Sequence, residues 1–89
     1  MSDAEAAAAH LRRLRWTCRR GAKELDLLLL GYLERCYGAA DEPERAAFER
    51  LLEAEDPDLA NWLYGRTQPD DPLLAGIVMT IRRQRAPVR

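Results

Sequence analysis

His10 is the only histidine in the chain, and it lies beside a run of alanines. A nucleophilic relay or a zinc site built on histidine needs partners at suitable spacing, and none is present. Cys18 and Cys36 lack CxxC spacing. Both fall on apolar stripes, where a cysteine acts as a small buried hydrophobe. Phosphate-cradling glycine loops are absent. The residues with usable chemistry lie between Arg12 and Lys23, where six basic side chains occur with no acid among them. This run leads into Arg19-Arg20-Gly21-Ala22-Lys23-Glu24-Leu25-Asp26. Arginine makes bidentate contacts to carboxylate or phosphate. Gly21 at a helix junction would let another backbone approach closely. Arg20 and Glu24 stand at i and i+4 and could pair with each other or with a partner. Trp16, one turn before Arg20, suits either an interface, where tryptophan and arginine are enriched, or a core anchor. A solvated arginine face ending in a glycine hinge and a docking surface are both open readings.

Five helical segments must position these residues. The first spans about Ala4 to Arg19, with Ala7, Leu11, Leu14 and Cys18 on one face and Arg12, Arg13, Arg15 and Arg19 opposite. The second spans about Ala22 to Tyr37. Leu25, Leu28, Leu29, Tyr32, Leu33 and Cys36 form one wide stripe, which predicts the central helix of a bundle. Gly21 fits its N-cap, with Glu24 at the third position, and Gly38 fits its C-cap. Asp41 with Glu44 predicts a capped start to the third helix, whose buried face is Ala47, Phe48, Leu51 and Leu52. Asp56 as cap and Pro57 as first helical residue start the fourth, with Leu59, Trp62 and Leu63 inward and Gly65 at its end. Asp71-Pro72 starts the fifth, which carries Leu74, Ile77, Val78 and Ile81. The expectation is a single all-α domain over 1–89: a five-helix bundle at about 4–85 around Leu25, Leu29, Leu33, Leu52, Trp62 and Ile77, then a flexible basic tail at 86–89.

Composition agrees. Leu and Ala contribute 14 residues each, whereas Val, Ile, Thr and Phe together supply eight, too few for a sheet. The chain is 89 residues with a net charge of −1, which argues against a general nucleic-acid binder. Two cysteines are too few for a disulfide-stapled secreted scaffold. The longest unbroken leucine run, Leu27 to Leu30, is far short of the roughly 20 residues of a membrane span. Asp3 and Glu5 sit where a signal peptide would carry positive charge. The expectation is a cytoplasmic protein with reduced thiols.

Arg20-Gly21-x-x-Glu24 resembles the RGxxE signature of the succinate dehydrogenase FAD assembly factors, also called flavinators of succinate dehydrogenase. The surroundings sharpen the likeness. Cys18-Arg19-Arg20-Gly21-x-x-Glu24-Leu25-Asp26 reproduces the family's order, and Trp16 fits the aromatic that often precedes it. Leu51-Leu52-Glu53, Asp56-Pro57-Asp58-Leu59 and Asn61-Trp62-Leu63 match its second block. The resemblance covers about residues 10–85. The alanine-rich start and basic tail are not family features, and Ala60 stands where a larger apolar side chain is common.

The resemblance implies a non-enzymatic factor that binds the flavoprotein subunit of succinate dehydrogenase, or of the related fumarate reductase, and promotes covalent attachment of FAD to it. It implies that FAD is the client's and is not stably held by the factor, which is expected to be a monomer when free. Carried over by position, Arg20, Gly21 and Glu24 form the functional core, and Arg19, Asp26, Trp16 and Arg13 its rim. A docking surface at Arg20, Gly21 and Glu24 predicts that these three are accessible to solvent and largely free of core packing. Asp56 through Leu59 and Trp62 read as caps and core. Family members have also been described as the antitoxin partner of a small membrane toxin, a rival role that needs only a helical surface. A flavin transferase would need a site for adenine and pyrophosphate, and the sequence offers only loose arginines.

Overall fold

The computed structural model describes residues 2–84, and all regular structure among them is helical. Helix α1 is Asp3–Thr17, α2 is Lys23–Arg35, α3 is Glu42–Leu51, α4 is Asp56–Leu63 and α5 is Pro72–Gln84, with a short 3-10 turn at Tyr37–Ala39. The all-α bundle expected from the apolar stripes is therefore the observed architecture. The tail at 86–89 lies outside the described residues.

Helix α2 takes the central place because it is apolar round most of its girth. Leu25, Leu28, Leu29, Tyr32 and Leu33 are all buried on it, and it packs against α1, α4 and α5. Phe48 of α3 is fully buried, with its ring centroid 4.6 Å from Tyr32 and 5.9 Å from Tyr37. Leu59 and Leu63 of α4 and Ile77, Val78 and Ile81 of α5 close the core. Of the six residues expected at its centre, Leu25, Leu29, Leu33, Leu52 and Ile77 are buried, but Trp62 is only half-buried at the core's margin. Leu59 and Leu63, four positions apart, define the inward face of α4 and are fully buried, and Trp62, about 100° round the helix from Leu63, falls at the flank of that face. Cys18 is buried, and burial pushes its thiol up to about 12, so it stays protonated. Cys36 is half-buried against the core, and both cysteines are free thiols.

Helix ends differ from expectation by a residue or two. Gly21 is not the N-cap of α2: Ala22 holds that place in extended conformation, and Gly21 precedes it at φ +87. Glu24 accordingly sits at the second helical position. Gly38 does not end α2 either; Cys36 does, and the 3-10 turn follows. Asp41 caps α3 by accepting from the Glu44 N–H at 3.0 Å, but the Glu44 side chain does not return the bond. It accepts from the buried Tyr32 hydroxyl at 2.6 Å instead, because an interior phenol needs a partner. The reciprocal capping box occurs at Ser2 and Glu5, at the start of α1. Glu55, not Asp56, is the N-cap of α4, which moves Pro57 to the second helical position. The Asp71 side chain accepts from the Leu73 N–H at 2.9 Å and so caps α5.

Candidate functional site

The segment Cys18–Ala22 joins α1 to α2 and carries the motif. Its geometry is set by two residues that reach back across it. Asp26, in the first turns of α2, accepts from the Arg20 backbone N–H at 2.7 Å, which closes the connection into a tight loop with Gly21 on the outside. The Arg20 side chain then turns inward. Its Nη1 donates to the carbonyls of Thr17 at 3.0 Å and Leu52 at 2.9 Å, its Nη2 to the carbonyl of Ala54 at 2.6 Å, and its Nε to Asp56 Oδ1 at 2.8 Å. One guanidinium thus joins the end of α1, the carbonyls just beyond α3 and the start of α4. The Thr17 and Leu52 carbonyls belong to the group that every helix end leaves without an internal partner, the Ala54 carbonyl lies in the connection before α4, and a planar five-donor cation suits all three.

Arg20 is therefore not the open contact residue expected from the motif. Its side chain is only 14% exposed, because its donors are all directed into the protein. Asp56, read from sequence as a cap, is its ion-pair partner and is 50% exposed. The Asp-Pro pattern was a sound sign of a helix start, and nothing in it pointed to Arg20.

Gly21 and Glu24 are exposed as expected. A Cβ built on Gly21 would have no heavy atom within 4 Å, so the space outside it is open. Glu24 lies one turn along, favourably placed at the positive end of α2. Leu27 follows on the same side and is 61% exposed; it borders a shallow hollow with Glu24, Leu28, Arg35 and Gln84. Leu27 lies off the buried stripe of α2, and a leucine in that place carries no sign in the sequence that it borders a site. Of the expected rim residues, Arg13, Trp16 and Arg19 are exposed, whereas Asp26 is half-buried and its carboxylate is used to close the loop.

A second polar cluster anchors the middle of α1. His10 Nε2 lies 3.0 Å from Glu49 Oε2, and Tyr37 donates its hydroxyl proton to the same oxygen. Burial opposes the Glu49 charge, but the hydrogen bonds from Tyr37 and His10 and the nearby cations outweigh it and hold the carboxyl below its usual range. Burial, then the bond to Glu49, pushes Tyr37 up to about 12. A carboxylate with a lowered folded pKa contributes stability above its unfolded pKa of about 4.3, and that contribution is lost as the pH falls through the folded value. Acidification from pH 6 to 3 should therefore lower the melting temperature of the wild type more than that of Glu49→Gln. Parallel melting curves against pH would show that Glu49 carries none of the acid sensitivity. Among the described residues no group of three or more His, Cys, Asp or Glu side chains could hold a metal. No helix there is long and apolar enough to cross a membrane.

The fold and the junction together describe a small all-helical protein whose distinctive feature is an exposed edge between two helices, braced from within. The chain belongs to the family of flavinators of succinate dehydrogenase, whose model matches residues 12–85. Among its relatives is the FAD assembly factor SdhE of Methylococcus capsulatus, 49% identical over 70 residues, which cover 79% of this chain and 84% of the relative. The FAD assembly factors SdhE of Yersinia pestis and Pectobacterium atrosepticum are 42% and 38% identical over 79 residues, covering 85% of this chain and 90% of each relative. The match takes in both the Arg20-Gly21-x-x-Glu24 junction and the α4 segment that contributes Asp56.

Proposed function

We propose that this protein binds the flavoprotein subunit of succinate dehydrogenase, or of a related fumarate reductase, and promotes covalent attachment of that subunit's FAD. The observation that carries this reading is the junction itself. Gly21, at positive φ with open space outside it, lies one turn from the exposed Glu24, and behind it the Arg20 side chain ties the end of α1 to the α3–α4 connection. An edge without a side chain, supported rigidly from behind, suits close approach of a partner's backbone. The protein's part is to hold its client in a competent conformation; FAD and the attachment chemistry belong to the client.

In this reading Gly21 and Glu24 contact the client directly, and Trp16, Arg13 and Arg19 flank the contact. Arg20 and Asp26 act by holding the edge in shape. The free factor is a cytoplasmic monomer and needs no stably bound cofactor.

The test is co-purification with the flavoprotein subunit, followed by flavin fluorescence of the denatured subunit prepared with and without this protein. Glu24→Ala should reduce covalent flavin by roughly tenfold or more, as loss of a central contact does. Its stability should fall by no more than about 1 kcal/mol, the scale of a charge at a helix start. Normal flavin attachment with a folded Glu24→Ala protein would remove this residue from the contact. Normal attachment in cells lacking the factor, together with release of a growth-arresting membrane toxin, would favour the antitoxin role instead.

A further inference from the structure

Helix α1 presents a second surface, on the side away from the core. Leu14 and Cys18 are its buried residues at the bundle. Trp16 follows Leu14 by two positions, about 200° round a helix, and so points nearly opposite. It is 75% exposed, the most exposed of the large apolar side chains among the described residues. A tryptophan left this open is unusual, since burying an indole is among the larger apolar gains available to a chain. Arg12, Arg15 and Arg19 stand at i−4, i−1 and i+3 from it and frame a shallow hollow over the indole. Arg13 lies beside them. Among the described residues none of these four guanidinium groups makes an ion pair or a hydrogen bond, in a protein where Arg20, Arg35, Arg45 and Arg50 all do. Acids that might have neutralised them are absent from the helix beyond Glu5.

We infer that this face receives an acidic surface patch of the flavoprotein client, with the Trp16 indole seated in an apolar recess of the partner and Arg12, Arg15 and Arg19 paired with carboxylates around it. The inference rests on the proposed function and adds the chemistry that the client must offer. Continuity supports it: Arg19 and Trp16 lead directly into the Arg20-Gly21 edge. Charge complementarity supports it as well. Four unpaired cations lie on one helix face of a chain whose net charge is −1, so the rest of the surface is acidic on balance. A long polyanion would meet that acidic remainder, whereas a compact carboxylate patch would not. A membrane-surface helix would need a broad apolar face, and here a single indole stands among arginines. An exposed aromatic ringed by arginines is the composition of an interface anchor.

The test measures association of the purified flavoprotein subunit of succinate dehydrogenase with the wild type, with Trp16→Ala, with the pair Arg12→Glu and Arg15→Glu, and with Glu24→Ala. Trp16→Ala should weaken binding about 30-fold or more, and the charge-reversed pair should slow association about tenfold or more at low salt. The charge effect should shrink as salt is raised to screen it. Both variants should melt as the wild type does, since neither touches the core. Wild-type affinity in both, with binding lost in Glu24→Ala, would overturn this inference and leave the proposed function standing. No binding by the wild type would overturn both. Binding of the wild type to anionic phospholipid vesicles or duplex DNA that the α1 variants abolish, with client affinity unchanged, would assign the face to a polyanion and overturn the inference also.

Discussion

Arg20→Ala is expected to destabilise the protein by about 2–4 kcal/mol, a large share of what a domain of this size possesses. The guanidinium makes charge-assisted bonds to three backbone carbonyls and one carboxylate, and it is mostly buried while doing so. Removing it leaves the carbonyls of Leu52 and Ala54 without the donor that satisfies them, and an unsatisfied polar group costs more than the bond itself contributed. The charge pairing with Asp56 is the smaller part, because that carboxylate is half open to water. Asp56→Asn should therefore cost less than about 1 kcal/mol. Arg20→Lys should fall between, since an ammonium keeps the charge but cannot reach four acceptors in one plane. Urea unfolding of the three variants checks the order. Arg20→Ala with the wild-type midpoint would show that the carbonyls find other partners and that Arg20 is no brace. Flavin attachment should fall in Arg20→Ala even where the protein remains folded, because α1, α3 and α4 are no longer tied together behind Gly21.

This role of Arg20 could not have been read from the chain. Two of its partners, at Leu52 and Ala54, are main-chain carbonyls more than thirty positions away, and a carbonyl has no residue identity to leave in a sequence. His10, Glu49 and Tyr37 were hidden for another reason: their side chains meet only because α1, α3 and the 3-10 turn converge in the fold. The helices themselves were legible because each buries a stripe at helical spacing, and burial of that stripe decides where a helix lies. Their ends were less so. Asp41 and Asp71 cap where expected, but at Asp56 the residue before it took the cap, and at Gly21 positive φ excluded the extended conformation a cap requires. Trp16 was legible in principle: Leu14 and Cys18 define the inward face, and the position two after Leu14 must look outward.

Gly21→Arg and Gly21→Ala are expected to be about equally stable and very unequal in function. Gly21 has φ +87, where any L side chain is strained, so either replacement should cost about 1–2 kcal/mol. No heavy atom lies within 4 Å of the added Cβ, so the longer side chain meets no further obstacle within the protein. The difference between the variants is therefore bulk presented outward. If a client backbone seats against this edge, alanine adds one methyl at the contact and arginine adds a long cation that holds the surfaces apart. Covalent flavin should fall several-fold with Gly21→Ala and to near the level without the factor with Gly21→Arg. Gly21→Asn, whose side chain tolerates positive φ better, should recover part of the stability without restoring the open edge. Melting temperature and flavin fluorescence on the three variants separate strain from obstruction. Equal losses of flavin attachment in Gly21→Ala and Gly21→Arg would mean that the backbone conformation is what the client requires. Loss that followed melting temperature across all three would mean that Gly21 serves the fold alone.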